Sequence, residues 1–490
     1  MSEELRLQKL EKLKELGHDP YLVEEYATTH TPAAIKSGYE ALNGSEISLA
    51  GRITALRLMG KASFFDITRD GDRIQIYLKR DDVGDGTWEI FGLADIGDIV
   101  GISGTVFKTK TGEISVHASK FAILAKSLYT LPLGKEKEGK HWYGLADVEE
   151  RYRRRYLDLI ANPESRERLL TRSKILTATR NFLDDRGYVE VETPVLQNLA
   201  GGAAARPFAT HHNALDIEMK LRISLELHLK RLLVGGFDKV YEIGRVFRNE
   251  GVSTRHNPEF TLLELYSAYQ KMEDIEALVE DLCRALARAV NGTEKVKIGD
   301  VELDFSGKWR RLNLLDAIEE RSGIPPKAFD SFETALSAME HVGLPTEKET
   351  DVGGIIEKLL ERFVEPHLIQ PTFVEGYPVD TSPLAKKDPT KPGFTRRFEG
   401  YVLGKELCNA FSELNDPLDQ RARMTLQAEQ LEKGNHEANP LDEDFLYALE
   451  VGMPPAGGLG IGMDRLVMIL TGAESIRDVI LFPTMRPQEK

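Results

Sequence analysis

A run of charged, aromatic and glycine residues in the middle of the chain has the side chains needed to hold a phosphate and a base. The segment is Tyr241–Glu250, with the letters YEIGRVFRNE. Arg248 offers a planar fork of donors that suits a phosphate or a carboxylate. Glu250 can accept from an exocyclic amine, and Phe260 can stack on a base. A surface hairpin held by salt bridges would use the same residues, so both interpretations stay open for this segment alone.

A second segment with chemical potential is Gly458–Arg465, with the letters GLGIGMDR. Its glycines, including Gly462, allow a ligand to approach the backbone closely. Arg465 stands where a helix begins and would project toward a phosphate. The glycine spacing is not GxGxxG, so the segment does not predict a dinucleotide-binding Rossmann fold.

These segments must be positioned by a mixture of strands and helices. Residues 240–249 and 260–269 are strand-like and flank a polar loop, which predicts an antiparallel pair. Residues 187–194 follow a predicted helix. The segment begins with glycine, and it contains a short predicted strand that ends at proline. Residues 270–370 are mostly helical, and 464–472 form a helix after the glycine-rich turn. The pattern predicts an α+β domain.

The N-terminal block has a different pattern, with five short runs of period-two hydrophobicity. They cover residues 47–58, 62–69, 72–79, 98–109 and 113–124. One helix-like segment, 87–95, precedes the fourth run, and this order fits a five-stranded OB-fold β-barrel. An all-β packing domain without a ligand fits the strand pattern equally well. We therefore divide the chain into an N-terminal helical segment (1–44), the barrel (45–130), a linker (131–150) and a large domain (151–490) with a helical insertion at about 305–350.

Composition excludes several classes of protein. The 490 residues carry a net charge of −15, which argues against a wholesale basic nucleic-acid binder. Cys283 and Cys408 stand far apart, which excludes a disulfide scaffold and a cysteine-rich zinc site and favours a reducing compartment. No apolar run approaches the roughly 18 residues of a membrane span, and the N-terminus lacks a signal-peptide pattern. We expect a soluble, cytoplasmic protein that binds neither DNA nor a membrane.

In their order, the segments around 187–194, 241–260 and 458–465 resemble motifs 1, 2 and 3 of the class II aminoacyl-tRNA synthetases. An N-terminal barrel points to the subgroup that charges lysine, aspartate or asparagine. The whole chain resembles the class II lysyl-tRNA synthetases, most specifically at residues 201–208, 221–251, 255–266 and 406–420. The resemblance implies a catalytic domain with a six-stranded antiparallel sheet flanked by helices, and a homodimer. It also implies two reactions, in which ATP and L-lysine form lysyl-adenylate and the lysyl group then passes to the 3′ end of tRNA(Lys).

The same resemblance assigns roles to residues that would bind ATP. Arg248 would bridge the α-phosphate and the lysine carboxylate, and Arg465 would stack on the adenine opposite Phe260; we expect both arginines to be catalytic. The expected ATP-binding residues are Arg248, Glu250, Arg255, His256, Phe260, Glu406, Gly462 and Arg465. Glu399 and Glu406 resemble the family's Mg²⁺ ligands, and carboxylate oxygens combined with substrate phosphates suit that ion.

Lysine needs carboxylates around its ammonium groups, whereas aspartate would need cations. By resemblance, Glu264, Tyr266 and Glu413 surround the side-chain ammonium, and Glu226 holds the α-amino group with the Gly202 backbone. The expected lysine-binding residues are Gly202, Glu226, Arg248, Glu264, Tyr266, Asn409, Phe411 and Glu413. Three carboxylates around one ligand repel one another unless a cation lies between them. Ser224 and Leu225 stand where the family more often has a small residue and proline, which predicts a less rigid loop before Glu226.

The barrel would read the anticodon. Phe64, Gln75 and Glu113 match the family's stacking aromatic, its hydrogen-bonding partner and a reader of a base edge. Four arginines after the barrel either guide tRNA phosphates or form a local salt-bridge cluster, and both interpretations stay open. They are Arg151, Arg153, Arg154 and Arg155.

Three other hypotheses compete with a lysine enzyme. One is an enzyme for aspartate or asparagine, which Glu264, Tyr266 and Glu413 suit poorly. Another is a relative that aminoacylates a protein; such relatives resemble the catalytic domain but lack the barrel. The last is a non-catalytic RNA-binding module with a relic fold, and failure to bind ATP would support it.

Overall fold

The chain folds into two compact units, Met1–Arg166 and Glu167–Lys490. The computed structural model describes residues 3–137, 140–142, 144–347, 349–435 and 438–488. Positions 138, 139 and 143 of the expected linker lie outside these ranges. None of the helices in the described ranges combines the length and the apolar character needed to cross a bilayer.

The first unit contains a closed five-stranded barrel, as the strand pattern predicts. Its strands are β1 (Glu46–Met59), β2 (Ala62–Arg69), β3 (Asp72–Lys79), β4 (Ile99–Lys108) and β5 (Ile114–Ala125). They follow one another around the barrel as β1-β2-β3-β5-β4, and only β3 and β5 run parallel. In β3, Ile74, Ile76 and Leu78 are fully buried while the residues between them face outward.

Helices and a short hairpin complete the first unit. They are α1 (Glu3–Glu15), α2 (Pro32–Ser37), α3 (Tyr39–Leu42), α4 (Arg80–Gly92), α5 (Val148–Arg153) and α6 (Arg155–Ala161), with the hairpin strands β6 (Lys135–Lys137) and β7 (Lys140–Trp142). The backbone of α4 is interrupted at Gly84, where φ is +80° and ψ 163°, so the helix predicted at 87–95 corresponds to the part of α4 after this break. Asp81 and Asp82 lie in the short turn before it.

The second unit is built on an eight-stranded sheet with two small sheets beside it. Its strands are β8 (Val189–Glu190), β9 (Leu196–Gln197), β10 (Ala209–His212), β11 (Ile217–Leu221), β12 (Lys239–Phe247), β13 (Glu259–Ala268), β14 (Lys295–Ile298), β15 (Val301–Asp304), β16 (Arg310–Asn313), β17 (Thr372–Glu375), β18 (Arg397–Val402), β19 (Lys405–Ser412) and β20 (Ala456–Gly462). The order in the large sheet is β16-β17-β18-β19-β20-β13-β12-β8. Its six central strands are antiparallel, and β16 and β8 join the two edges in parallel. The edge strands extend the expected six-stranded sheet.

One face of this sheet is covered by helices. The helices of the unit are α7 (Pro163–Asp184), α8 (Glu226–Val234), α9 (Met272–Asn291), α10 (Leu314–Ser322), α11 (Phe332–His341), α12 (Val352–Leu359), α13 (Pro417–Glu432), α14 (Glu443–Gly452) and α15 (Met463–Thr471). Leu263 and Leu265 of β13 share a buried core with Ile275 of α9 and Val467 of α15. Because side chains alternate along a strand, the residues between these leucines face the other side of the sheet.

Candidate active site

The face of the sheet opposite α9 forms the wall of a cavity of about 560 Å³. Glu264 and Tyr266 alternate with the core leucines of β13 and line this cavity. On the neighbouring strand β20 the lining residues include Gly458, Gly460 and Gly462, which keep the wall free of side chains. All residues expected in this unit to bind ATP, lysine or metal line the cavity, except Glu413: Gly202, Glu226, Arg248, Glu250, Arg255, His256, Phe260, Glu264, Tyr266, Glu399, Glu406, Asn409, Phe411, Gly462 and Arg465.

Arg248 lies just past the end of β12, with its guanidinium over the ring of Phe260. The guanidinium carbon is 5.2 Å from the ring centre, and Nε lies 3.4 Å from the carbonyl oxygen of Ile223. Burial lowers the pKa of Arg248 from its usual value, but an arginine remains charged. Within the described ranges no carboxylate forms a salt bridge with it, so its fork of donors is available to an anionic ligand.

Glu264 is a buried carboxylate held from three directions. Its Oε1 accepts from Ser224 Oγ and from the Leu225 backbone N–H, both at 3.0 Å, and its Oε2 accepts from Tyr266 Oη at 3.1 Å. Burial raises the pKa of Glu264 to about 7, with Glu226 adding to the rise and the hydrogen bonds opposing it. The carboxylate therefore ionises near neutral pH, and no cation of the described residues forms a salt bridge with it.

The loop before α8 is held by hydrogen bonds instead of by a proline. Ser224 Oγ also accepts from the backbone N–H of Glu226 at 3.1 Å. A proline at position 225 would have no N–H to donate to Glu264. Gly202 lies beside this loop with φ of +88°, and a Cβ there would lie 2.9 Å from Ser224 Oγ.

Glu226 and Glu413 share an internal cation that the sequence analysis missed. Lys230 of α8 is fully buried, and its Nζ lies 2.5 Å from Glu226 Oε1 and 2.5 Å from Glu413 Oε2. Glu413 is also fully buried and lies behind the cavity wall. Burial alone would lower the pKa of Lys230, but the two carboxylates outweigh it and raise that pKa above its usual value.

Nothing in the sequence signals that this lysine is buried. Glu226 and Lys230 are four residues apart on a helix, a spacing that usually marks an exposed ion pair. Only the packing of α8 against β13 and the segment after β19 brings Glu413 to the same ammonium.

Two further lysine-pocket residues have internal contacts. Asn409 Oδ1 accepts from Arg397 Nε at 3.0 Å, which orients its amide. The ring of Phe411 lies 5.4 Å from Lys230 Nζ. Both residues line the cavity, so Phe411 presents an apolar surface there.

Arg465 extends from the first turn of α15 to Glu406. Its Nη1 donates to Glu406 Oε2 and to the Glu406 carbonyl oxygen, both at 2.9 Å. Burial alone would raise the pKa of Glu406, but Arg465 outweighs it and lowers that pKa. Asp464 is buried beside Arg465, bonds Arg172 at 2.5 Å and accepts from the Thr261 backbone N–H, and so fixes the start of α15 against β13.

Glu399 lies on β18, next to the strand that carries Glu406. Arg397 Nη2 donates to its Oε1 at 2.6 Å, and Tyr377 and Tyr401 donate to its Oε2 at 2.9 and 2.5 Å. Burial raises the pKa of Glu399, and the charge of Glu406 adds to the rise. Both carboxylates line the main cavity and an adjoining one of about 490 Å³.

These two carboxylates fit a magnesium ion that is shared with a ligand. They supply hard oxygen donors from neighbouring strands to one cavity, and each keeps acceptor capacity beyond its internal bonds. In the described ranges no group of three or more acidic, histidine or cysteine side chains forms a complete metal cage. Mg²⁺ usually takes one or two protein carboxylates and completes its shell with phosphates and water.

The loop between β12 and β13 brings exposed polar groups to the cavity. Ser253 Oγ accepts from the backbone N–H groups of Arg255 and His256 at 3.1 and 3.0 Å. Arg255, His256 and Glu250 are exposed and line the cavity, so they can meet a ligand that enters from solvent.

In the first unit, the residues expected to bind the anticodon share an outer face of the barrel. Phe64 and Tyr77 are paired across β2 and β3, with ring centres 4.8 Å apart. Gln75 lies two residues before Tyr77 and accepts from Ser115 Oγ at 3.1 Å. Glu113 lies 3.7 Å from Arg73, which also donates to Asp66, the cross-strand partner of Gln75. The three are thus brought together outside the barrel core.

The arginine run after the barrel is largely occupied by carboxylates. Asp158 is fully buried and binds Arg151 at 2.8 Å and Arg155 at 2.6 Å. Arg153 and Arg154 pair with glutamates one turn earlier on α5. These contacts favour the salt-bridge cluster over a phosphate track.

Comparison with known proteins gives a consistent result for both units. Residues 147–486 match the family model of tRNA synthetases class II (D, K and N). Residues 47–124 match the model of an OB-fold nucleic acid binding domain, at the barrel.

Full-length relatives are similar over nearly the whole chain. A lysine–tRNA ligase of Thermoanaerobacter sp. (strain X514) is 53% identical, covering 99% of this chain and 96% of the relative. Those of Moorella thermoacetica and Listeria monocytogenes are 53% and 51% identical, covering 99% of this chain and 98% and 97% of the relatives.

Proposed function

This chain belongs to the lysine–tRNA ligases of the class II tRNA synthetase family, and on that premise we propose that it activates L-lysine with ATP and charges tRNA(Lys). In the first reaction a lysine carboxylate oxygen attacks the α-phosphorus of ATP. The bond between the α-phosphorus and the oxygen of the β-phosphate breaks, which releases pyrophosphate and forms lysyl-adenylate. In the second, a hydroxyl at the tRNA 3′ end attacks the lysyl carbonyl, and AMP leaves.

The observation that carries the proposal is the carboxylate-rich end of the cavity. Glu226 and Glu264 line it, and Tyr266 holds Glu264 by a hydrogen bond. A ligand with ammonium groups gains from this charge, whereas an aspartate side chain would be repelled. Arg248 lies in the same cavity and suits the single carboxylate of lysine.

The chain's own residues would act on ATP mainly by positioning and by charge. Arg248 would hold the lysine carboxylate against the α-phosphate and stabilise the charge that develops at phosphorus. Phe260 and Arg465 would enclose the adenine, with Glu250 at its amino group and Gly462 allowing close approach. Arg255 and His256 would meet the outer phosphates from the exposed loop.

Mg²⁺ is the metal that we assign to Glu399 and Glu406. When bound, it would neutralise part of the negative charge of the ATP phosphates, in addition to the part that the arginines neutralise. Because Glu406 also bonds Arg465, its carboxylate would position that arginine as well.

The barrel would bind the anticodon through Phe64, Gln75 and Glu113. We keep the domain bounds set out above, 45–130 for the barrel and 151–490 for the catalytic domain. We also propose a homodimer through the 187–194 segment, supported by the apolar side chains of Val189 within it and of Val195 and Leu196 directly after it, which are 48, 37 and 45% exposed. A cytoplasmic location is proposed with this function, since tRNA charging serves translation.

Amino-acid-dependent ATP–pyrophosphate exchange without tRNA tests the proposal. Each proteinogenic amino acid is supplied in turn, with Mg²⁺ present. Exchange with lysine alone is expected. Exchange with aspartate or asparagine would overturn the assignment of lysine, and no exchange by a folded protein would overturn the enzymatic role.

A further inference from the structure

A lysine of the protein itself lies among the carboxylates that would bind the substrate lysine. Lys230 is fully buried, does not line the cavity, and contacts Glu226 and Glu413 at 2.5 Å each. The rings of Tyr266 and Phe411 lie 5.9 and 5.4 Å from its ammonium. Solvent therefore reaches neither Lys230 nor Glu413.

Two carboxylates contact this ammonium: Glu226 lies on the same helix, α8, and Glu413 follows β19. Glu264, on β13 beside Tyr266, acts on Glu413, because its charge raises the pKa of that carboxylate. The other cation of α8 is Arg231, which pairs with Asp442 at 2.9 Å and leaves Lys230 to the pocket.

The number of charges matches one substrate. When Glu226, Glu264 and Glu413 are all ionised, three negative charges meet two positive ones, Lys230 and Arg248, and this end of the cavity has one surplus negative charge. Glu264, with a pKa of about 7, reaches that state as the pH rises through neutrality. A lysine zwitterion carries two ammonium groups and one carboxylate at neutral pH, and so has one surplus positive charge. Without Lys230 the surplus would be two, and a buried carboxylate would have to take up a proton.

Glu413 is placed so that it serves both sides. Its Oε2 lies 2.5 Å from Lys230 Nζ, and neither of its oxygens accepts a well-directed hydrogen bond from the described residues. Oε1 lies 1.9 Å from where a Cβ on Gly458 would be, and Gly458 lines the cavity. The missing side chain thus lets Oε1 approach the cavity wall.

We propose that Lys230 is a positioning residue for lysine selection: it holds Glu226 and Glu413 in place as carboxylates and sets the charge of the pocket to that of a single lysine. This inference rests on the proposed function. Burial raises the pKa of Glu413, and the ammonium of Lys230 opposes that rise. Loss of the ammonium would let the pKa of Glu413 rise further.

The test compares Lys230→Met with Lys126→Met. Both variants remove a buried ammonium from between two carboxylates and keep an apolar stem, but Lys126 belongs to the barrel unit. The KM for lysine, the KM for ATP and kcat are measured by pyrophosphate exchange from pH 6 to 9.5.

For Lys230→Met we expect the KM for lysine at pH 7 to rise about ten- to hundredfold, the size of a pKa shift caused by losing one close opposite charge. The KM for ATP should change little, and the KM for lysine should approach the wild-type value at alkaline pH. In Lys230→Met/Glu413→Gln one positive and one negative charge are removed together. The pH profile of the KM for lysine should therefore no longer be shifted to alkaline pH, as it is in Lys230→Met. Lys126→Met should keep the wild-type profile.

A Lys230→Met variant that folds and keeps the wild-type pH profile would overturn the inference and leave the proposed function intact. If that variant does not fold, calorimetry of lysine binding to the wild-type protein decides. Titrations at pH 7 in two buffers of different ionisation enthalpy count the protons released. We expect one or fewer, from Glu264; release of two or more would show that Lys230 does not keep its partners ionised. Wild-type protein that neither binds nor activates lysine would instead remove the proposed function.

Discussion

Each unit buries a lysine ammonium between two carboxylates, but the two clusters are completed differently. In the barrel unit, Lys126 bonds Asp95 at 2.5 Å, Asp98 at 2.7 Å and the Leu93 carbonyl oxygen at 2.9 Å. Lys9 adds a second cation on Asp95 at 2.6 Å. In the large unit, Lys230 is the one cation that forms salt bridges with Glu226 and Glu413 among the described residues.

The acceptors differ accordingly. Both oxygens of Asp95 face lysines, and Asp98 accepts from the backbone N–H groups of Asp95 and Ser127 at 2.8 Å each. Charges and acceptors are therefore balanced within the barrel cluster. The Lys230 cluster keeps surplus negative charge, and both oxygens of Glu413 lack a well-directed hydrogen bond in the described ranges. A balanced cluster is costly to break by removing one partner, whereas an unbalanced one beside a cavity is suited to a cationic ligand.

The largest effect should follow from breaking the balanced cluster. Asp98→Ala leaves the buried Lys126 and the half-buried Lys9 with one aspartate, and we expect the free energy of unfolding of the barrel unit to fall by about 3–5 kcal/mol. Denaturant unfolding measures this, while pyrophosphate exchange should be retained in native conditions.

Asp70→Ala is the matched control. Asp70 is 68% exposed and pairs with Arg166 at 3.4 Å, so its loss should cost less than about 1 kcal/mol. Equal losses for the two variants would show that the barrel cluster contributes no more than a surface pair.

The next effect concerns Arg248, a cavity arginine that forms no salt bridge with a carboxylate of the described residues. Arg248→Lys keeps a charge but loses the planar fork, and we expect pyrophosphate exchange to slow by about 10²–10³-fold. Arg245→Lys, an exposed position on the same strand, should leave the rate unchanged. A rate for Arg248→Lys within threefold of wild type would contradict a role at the reacting phosphate.

Much of this arrangement could be predicted from sequence, because it depends on strand alternation. Leu263 and Leu265 alternate with Glu264 and Tyr266, and that pattern alone assigns one set to the core and the other to the open face. The short strand predicted within 187–194 is present as β8, but its two residues carry no periodicity from which its parallel place at the sheet edge could be predicted. Their pairing is decided by neighbouring strands.

The limits of sequence in the site are those of tertiary contact. Lys230 looks like the exposed partner of Glu226 in a helix, and Glu413 comes to it only through packing. Ser224 and Leu225 differ from the family pattern, and the sequence therefore predicts a less rigid loop. In the structure both residues donate hydrogen bonds to Glu264. In each case the deciding partner is distant in sequence, so no local pattern contains it.

A smaller effect should separate the two units by function. Phe64→Ala removes an outer aromatic ring of the barrel, and we expect the KM for tRNA to rise by the equivalent of about 1–3 kcal/mol, the contribution of one stacked base. Exchange without tRNA should stay at the wild-type rate. Tyr129→Ala, a 70% exposed aromatic position in the same unit, serves as the control. An equal rise in both variants would point to a general surface effect.

The smallest effect tests how finely the unbalanced cluster is tuned. Because burial raises the pKa of Glu264 to about 7, the KM for lysine should increase as pH falls through 7, where the carboxylate takes up a proton. Ser224→Ala removes a hydrogen bond that favours the carboxylate, which raises this pKa, while Leu225 and Tyr266 still donate. At pH 7 we expect a loss of lysine affinity of about 1 kcal/mol, the usual contribution of one hydrogen bond. At pH 9 the carboxylate is ionised in both proteins, so the difference should nearly vanish. A loss of the same size at both pH values would mean that the hydroxyl acts through packing of the loop, and not through the charge of Glu264.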